Sequence, residues 1–230
     1  MRKETILKRK KLGDKGFTLI ELVFVIAIIL ILTALFLPPL FSQLDASRTN
    51  KADADIQEIA AGIMAFFNDL DEMPTCSAAC STTFTEGIVF LAFGEGFGSL
   101  SADYPAETAW NLDASDETTE AQNNGANHLV INSPDGNTTE DETPSDYKTS
   151  GVGKAKRWQG PYLSRVGKDP YGKAYIAYVG AMSAGGQKLS GSTGIQRGWI
   201  ISAGGDGFLD TAPDDRALTG DDRGFILTTK

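Results

Sequence analysis

The strongest pattern in the chain is an apolar run from Phe17 to Phe41, in which Glu21 is the only charged residue. As an α-helix, these 25 residues would be about 37 Å long, which exceeds the roughly 30 Å of hydrocarbon in a bilayer. The run therefore predicts a transmembrane helix over residues 17–41.

The pattern changes after Pro39, where apolar residues recur at steps of three and four and charged residues fill the other faces. This spacing predicts an amphipathic helix over residues 42–70 that packs its apolar side on a folded domain. Pro74 marks the end of the helix. The apolar positions are Leu40, Leu44, Ile56, Ile59, Ile63, Phe66, Phe67 and Leu70.

The remainder divides by composition into two segments. Residues 71–156 are rich in small and polar residues and predict a variable, loop-rich insert with apolar islands at 88–93 and 128–131. Residues 157–230 predict a β-sheet head, because three β-rich runs, at 175–179, 198–202 and 224–228, are separated by Gly-rich loops. The predicted fold class is α+β: a long N-terminal helix packed on a small antiparallel β-sheet head with extended loops.

Charge is distributed unevenly along the chain. Residues 1–16 carry a net charge of +5, so the rest carries −14 of the total of −9. A basic segment before an apolar helix places the N-terminus in the cytoplasm, and the remainder is then exported. An acidic exported body is repelled by phosphate backbones, so no nucleic-acid partner is expected, whereas divalent cations are suitable ligands.

Two common N-terminal signals explain this pattern incompletely. A cleaved secretory signal needs small residues after its apolar core, whereas this run ends in Leu-Pro-Pro-Leu-Phe. A simple signal anchor does not explain the abrupt junction between Gly16 and Phe17. It also leaves Glu21 without a partner, at a cost of about 2.5–3.5 kcal/mol in mid-membrane.

Residues 15–22, Lys-Gly-Phe-Thr-Leu-Ile-Glu-Leu, resemble the prepilin motif shared by type IV pilins, type II secretion pseudopilins and competence pilins. The resemblance implies that a prepilin peptidase cuts between Gly16 and Phe17, removes residues 1–16 as a cytoplasmic leader, and methylates the new N-terminus. It further implies that Glu21 neutralises the Phe17 ammonium of a neighbouring subunit. Pro38 lies where pilins often carry a helix-kinking proline.

The two cysteines, Cys76 and Cys80, lie close together just after the predicted helix. Two thiols without a nearby histidine do not suit a structural zinc site. In an oxidising compartment they predict a short local disulfide. Two free thiols are the alternative.

Two segments at the start of the head, Arg157–Leu163 and Lys168–Tyr175, resemble the W-x-G-P-Y-L and K-D-P-W/Y-G-x-x-Y segments of the major (G-type) pseudopilin of type II secretion. Both also contain turn signals, Gly160-Pro161 and Asp169–Gly172. Their aromatic residues supply large apolar surfaces that can cover the helix.

The loop before the last predicted strand contains six aspartates within residues 206–222. Carboxylates joined by Gly-rich turns suit Ca²⁺, which takes six to eight oxygen ligands. The loop resembles the S-x-G-x-D-G…D-D calcium loop of major pseudopilins, which implies a calcium site with Asp206 as a ligand. The closing pair is left open: Asp214-Asp215 has the nearer spacing, whereas Asp221-Asp222 directly precedes the strand. A solvated acidic loop is the alternative.

The sequence shows no nucleophile–base pair and no metal–histidine cluster, so an enzyme is not expected. The resemblance implies a structural subunit of a type II secretion-like pseudopilus, polymerised with copies of itself into a helical filament. Its other partners would be the prepilin peptidase, the inner-membrane assembly platform, minor pseudopilins and secreted proteins.

The subunit would cross the inner membrane once, with its N-terminus cytoplasmic and its head periplasmic, and its filament would be periplasmic or on the cell surface. The alternative is a type IV pilin or minor pilin used for adhesion, DNA uptake or motility. The large middle segment and the unusual length favour this alternative.

Overall fold

The computed structural model describes residues 16–74, 90–94, 104, 110, 124–134, 147, 149, 157–164, 167–182 and 195–228. The chain forms two compact units, residues 1–45 and 46–230. The predicted leader up to residue 15 and the predicted disulfide between Cys76 and Cys80 lie outside the described residues.

The first unit contains the start of helix α1, which runs from Leu19 to Leu70 and has 52 residues. The helix begins two residues after Phe17, because Thr18 caps it. The helix continues through Pro38 and Pro39. Every residue from Gly16 to Arg48 is exposed. By length and composition α1 can cross a membrane: its most apolar stretch has a mean hydropathy of 3.0 and none of it is buried.

The second unit contains a four-stranded antiparallel sheet in the order β1-β2-β3-β4. The strands are β1 (Phe90–Phe93), β2 (Tyr175–Tyr178), β3 (Gly198–Ser202) and β4 (Arg223–Leu227). This confirms the α+β prediction but corrects the number of strands, since three were predicted. The additional strand β1 comes from the apolar island at 88–93.

One face of the sheet is covered by the second half of α1. The buried positions of the helix are Ala52, Ile56, Ile59, Ala60, Gly62, Ile63, Phe66 and Leu70. They form one core with Leu91, Tyr175, Ala177 and Ile200, which alternate along the first three strands. Of the predicted apolar positions, Leu40 and Leu44 do not join this core and stay about half exposed (55% and 51%).

The opposite face of the sheet is buried too. It carries a second cluster that includes Phe90, Tyr178 and Trp199 from the strands and Trp110 from the middle segment. Because both faces are covered, β2 and β3 are buried at every position.

The described residues of the predicted insert, 71–156, contribute to the fold. They supply β1, the short helix α2 (Gly125–Leu129) and the buried side chains of Tyr104, Trp110 and Tyr147. The single histidine, His128, is fully buried in α2, where its Nδ1 lies 2.8 Å from the Tyr147 hydroxyl.

Polar contacts fix the helix on the sheet. The Tyr175 hydroxyl donates to Asp55 Oδ2 at 2.7 Å, and Lys51 pairs with the same oxygen at 2.5 Å. Burial, with the nearby Asp55 charge, raises the pKa of Tyr175 above its ordinary value. The phenol therefore stays protonated and remains a donor at neutral pH. A second contact joins Ser164 Oγ to Glu58.

We expect Ile63→Ala to destabilise the second unit, because Ile63 is fully buried between α1 and the sheet. Loss of a buried isoleucine side chain to alanine costs about 2–5 kcal/mol. The measurement is thermal unfolding of the full chain in mild detergent, followed by tryptophan fluorescence. The control Gln57→Ala lies on the exposed side of the same helix and should change stability by no more than about 0.5 kcal/mol. Equal melting temperatures for the two variants would contradict this packing.

Candidate functional site

The N-terminus of α1 is closed by three hydrogen bonds that run in both directions between Thr18 and Glu21. The backbone N–H and the hydroxyl of Thr18 each donate to Glu21 Oε2 at 2.8 Å, and the Glu21 N–H points back to the Thr18 hydroxyl at 3.4 Å. This is a capping box, which satisfies donors that the helix itself cannot. Within the described residues Glu21 Oε1 accepts no hydrogen bond, so this oxygen is available to another molecule.

Gly16 and Phe17 precede this cap and are fully accessible. A Cβ added to Gly16 would have no atom within 4 Å, and Phe17 is 87% exposed. The fold therefore does not require glycine at position 16. A requirement for glycine there would come from a molecule that recognises the junction.

A second candidate site lies in the acidic loop between β3 and β4. Asp221 Oδ2 accepts the N–H groups of Gly205 at 2.6 Å and Asp206 at 3.2 Å. These bonds place the Asp206 and Asp221 side chains next to each other. Gly204 has φ +66°, and a Cβ there would collide with the Asp221 backbone. Glycine is needed at this position both for the backbone angle and for the close approach.

Asp210 completes the cluster. One carboxylate oxygen from each of Asp206, Asp210 and Asp221 lies within 4.8 Å of the others, and all three residues are exposed. Gly220 permits this geometry, since a Cβ there would collide with the Asp210 carboxylate. No ion pair joins these three aspartates to any described basic residue.

The segment between Asp210 and Gly220 is closed at its base by Thr211. Its N–H donates to Asp222 Oδ2 at 2.7 Å, and its hydroxyl accepts the Thr219 N–H at 3.0 Å. Trp110 donates from Nε1 to the Thr211 carbonyl at 2.7 Å. These bonds hold the two ends of a long loop together, so Asp210 and Asp221 can meet despite their separation in sequence.

The other predicted pair has a different environment. Arg197 donates to the carbonyl oxygens of Asp214 at 2.8 Å and Asp215 at 3.1 Å, and Asp215 Oδ2 accepts the Ala212 N–H at 2.7 Å. Both residues lie outside the three-carboxylate cluster. Of the predicted ligands, the structure thus brings together Asp206 and Asp221. It adds Asp210, whose only sequence signal is its place among the aspartates of the loop.

Asp222 points into the protein and is only 3% exposed. Burial raises its pKa to about 6, and the Asp210 charge adds to this effect, while the hydrogen bonds from Thr211 act in the opposite direction. The folded state therefore destabilises the ionised form relative to that of an exposed aspartate, although the carboxylate still predominates at pH 7. Its Oδ1 is also buried, and among the described residues it has no hydrogen-bond donor.

These features suit a hard divalent cation. Three converging carboxylates that form no ion pair with a described basic residue repel one another, and Ca²⁺ is bound by carboxylate and carbonyl oxygens. Asp206, Asp210 and Asp221 can supply three of its ligands. The remainder would be backbone carbonyls or water.

Two comparisons place the chain among known proteins. It matches the family described as the prokaryotic N-terminal methylation motif over residues 11–37. It is similar to the type IV major alpha-pilin of Moraxella bovis, with 38% identity over 116 residues. That alignment covers 50% of this chain and 65% of the pilin, slightly less than two thirds of the relative's length. No solved structure matches the chain.

Proposed function

We propose that this chain is a membrane-anchored structural subunit of a type IV pilin-like filament, cleaved between Gly16 and Phe17 by a prepilin peptidase. The observation that carries this proposal is the methylation motif at residues 11–37, which continues into an exposed helix long enough to cross a membrane. The similarity to a major pilin supports the same conclusion.

Assembly would proceed through the apolar half of α1. Its large side chains, such as Leu22, Leu30 and Phe36, are 61–69% exposed in the single chain. Packing of several such helices would cover these side chains. Cleavage would create a Phe17 ammonium, and Glu21 of a neighbouring copy offers Oε1 to receive it without breaking its bonds to Thr18.

Two kinds of filament are compatible with this proposal. The acidic loop, together with the segments Arg157–Leu163 and Lys168–Tyr175, supports a type II secretion-like pseudopilus that assists protein export. In that case the assembly platform, minor pseudopilins and secreted proteins are its partners. The similarity to a major pilin favours the second candidate, a type IV pilus subunit. A neighbouring gene for an outer-membrane secretin or for a retraction ATPase would distinguish the two systems.

We also propose that the acidic loop binds Ca²⁺ through Asp206, Asp210 and Asp221. The ion would cancel the mutual repulsion of three carboxylates within 4.8 Å of one another. It would also join the two ends of the loop and so make the head more rigid.

We expect the mature protein to begin with a methylated Phe17, as measured by mass spectrometry of purified filaments. Gly16→Leu should block cleavage without disturbing the fold, since nothing lies within 4 Å of a Cβ at this position. The matched control is Gly13→Leu, in the same predicted leader, which should be processed. Filaments built from subunits that keep residues 1–16 would contradict the proposal.

We expect Glu21→Gln to be processed and inserted but to assemble poorly. Glutamine can still accept the hydrogen bonds of Thr18 in a capping box, so this variant removes the charge alone. Insertion should not suffer, because an intramembrane charge is costly. Glu21→Ala, which removes both charge and cap, is the comparison. If filament yield falls only in Glu21→Ala, the helix cap matters and the proposed pairing with Phe17 is wrong.

We expect Ca²⁺ to raise the melting temperature of the full chain in detergent, and Mg²⁺ to do much less because it demands octahedral geometry. Binding to the folded state alone adds about 2.7 kcal/mol at a hundredfold excess over Kd. Asp206→Asn, Asp210→Asn and Asp221→Asn should each abolish the shift. Asp214→Asn, a substitution outside the cluster, should retain it. If chelation leaves the melting temperature of the unaltered chain unchanged, the proposed calcium site is wrong and the loop is a solvated acidic surface.

A further inference from the structure

Asp169 is a buried carboxylate in the turn before β2, outside the acidic loop. It is 4% exposed and forms no ion pair with any described residue. Its Oδ1 accepts the N–H groups of Tyr171 at 3.0 Å and Lys173 at 2.7 Å. Its Oδ2 accepts the hydroxyl of Ser202, at the end of β3, at 2.6 Å. Three donors thus compensate the buried charge.

Ser202 connects this turn to the acidic loop. Its hydroxyl is fully buried, and its oxygen also accepts the Gly204 N–H at 3.5 Å. A carboxylate can only accept, so Asp169 fixes the hydroxyl proton of Ser202 and turns a lone pair of its oxygen toward Gly204. The next two N–H groups, of Gly205 and Asp206, are those that hold Asp221.

The turn itself also packs against the start of the loop. A Cβ at Gly205 would lie 3.5 Å from the Tyr171 ring, and a Cβ at Gly207 would lie 3.3 Å from the aliphatic part of Lys173. The backbone of residues 204–207 is therefore held from two sides, by the hydroxyl of Ser202 and by the turn that Asp169 organises.

We propose that Asp169 is a positioning residue for the cation site and acts through Ser202. It sets the backbone of residues 204–206 so that Asp206 and Asp221 present their carboxylates to one ion. This inference rests on the proposed cation site. The turn itself does not require an aspartate at position 169, because asparagine could form the same Asx-Pro-Tyr-Gly turn. The proposal therefore gives the carboxylate of Asp169 a role in ion binding.

The test is a titration of the full chain in detergent with Tb³⁺, a probe that occupies calcium sites and luminesces when a nearby tyrosine is excited. Tyr171 is suitably placed beside Gly205. Competition with Ca²⁺ then gives the calcium Kd, measured well below the melting temperature of each variant. A residue that only supports the fold would change the melting temperature and leave this Kd unchanged.

Asp169→Asn should weaken binding about tenfold, the lower end of the range for partners that orient metal ligands. The substitution is nearly isosteric, and it places an NH₂ donor toward Ser202 in place of an acceptor. Ser202→Ala removes only the connecting hydroxyl and should have a similar effect, so it decides the question even if Asp169→Asn does not fold. The controls are Asp53→Asn, which removes one negative charge from α1, and Ser164→Ala, which removes the hydroxyl bonded to Glu58. Both should bind as the unaltered chain does.

The titration distinguishes a wrong cation site from a wrong role for Asp169. If the unaltered chain shows no saturable Tb³⁺ binding that Ca²⁺ displaces, the cation site itself is wrong. If the unaltered chain binds and Ser202→Ala binds with the same Kd, the cation site stands and the role of Asp169 through Ser202 is overturned.

Discussion

The contact between the second half of α1 and the first face of the sheet is the constraint on which the rest of the second unit depends. Short strands of four or five residues cannot form a stable sheet without an apolar partner. Helix α1 supplies this partner through one stripe of small and large apolar side chains. The hydroxyl of Tyr175 and the carboxylate of Asp55 then fix the position of the helix along the strands.

The opposite face of the sheet is covered by a residue of the middle segment, Trp110. A sheet covered on one side only would expose Phe90, Tyr178 and Trp199, which are instead packed with Trp110. The ring of Trp110 lies 6.0 Å from Phe90 and 6.1 Å from Tyr178. Since Trp110 also bonds the Thr211 carbonyl, the same residue that covers the sheet restrains the acidic loop. The middle segment thus contributes both to the core and to the candidate cation site.

The parts of the fold that sequence reasoning predicted correctly are those encoded by local periodicity. The extent of α1 and the stripe from Ile56 to Leu70 follow from residues three and four positions apart. Strand β1 was not predicted as a strand because its partner β2 is more than 80 residues away, with Phe90 opposite Tyr178. A six-residue apolar island carries no signal for such a distant pairing.

The arrangement of carboxylates in the acidic loop also depends on contacts that the sequence does not reveal. Sequence reasoning proposed Asp206 as a ligand and left two closing pairs open, Asp214-Asp215 and Asp221-Asp222, whereas hydrogen bonds decide which carboxylates face outward. Asp222 turns inward to accept the Thr211 N–H, and Gly220 leaves room for Asp210 to take part in the cluster. These choices depend on contacts between separate parts of the loop, which a linear motif does not encode.

In the proposed filament, the capping box at the start of α1 would have a consequence for a subunit that has not yet assembled. An acid with no bonds of its own would attract any available cation, including lipid amines and the lysines of unrelated proteins. Because Thr18 already holds one oxygen of Glu21, the gain from such chance encounters is reduced. Only a partner that approaches the second oxygen, with its own apolar helix aligned alongside, would gain the full interaction. If the chain assembles as proposed, the bonds between Thr18 and Glu21 would therefore favour a neighbouring subunit with an aligned helix over a chance cation.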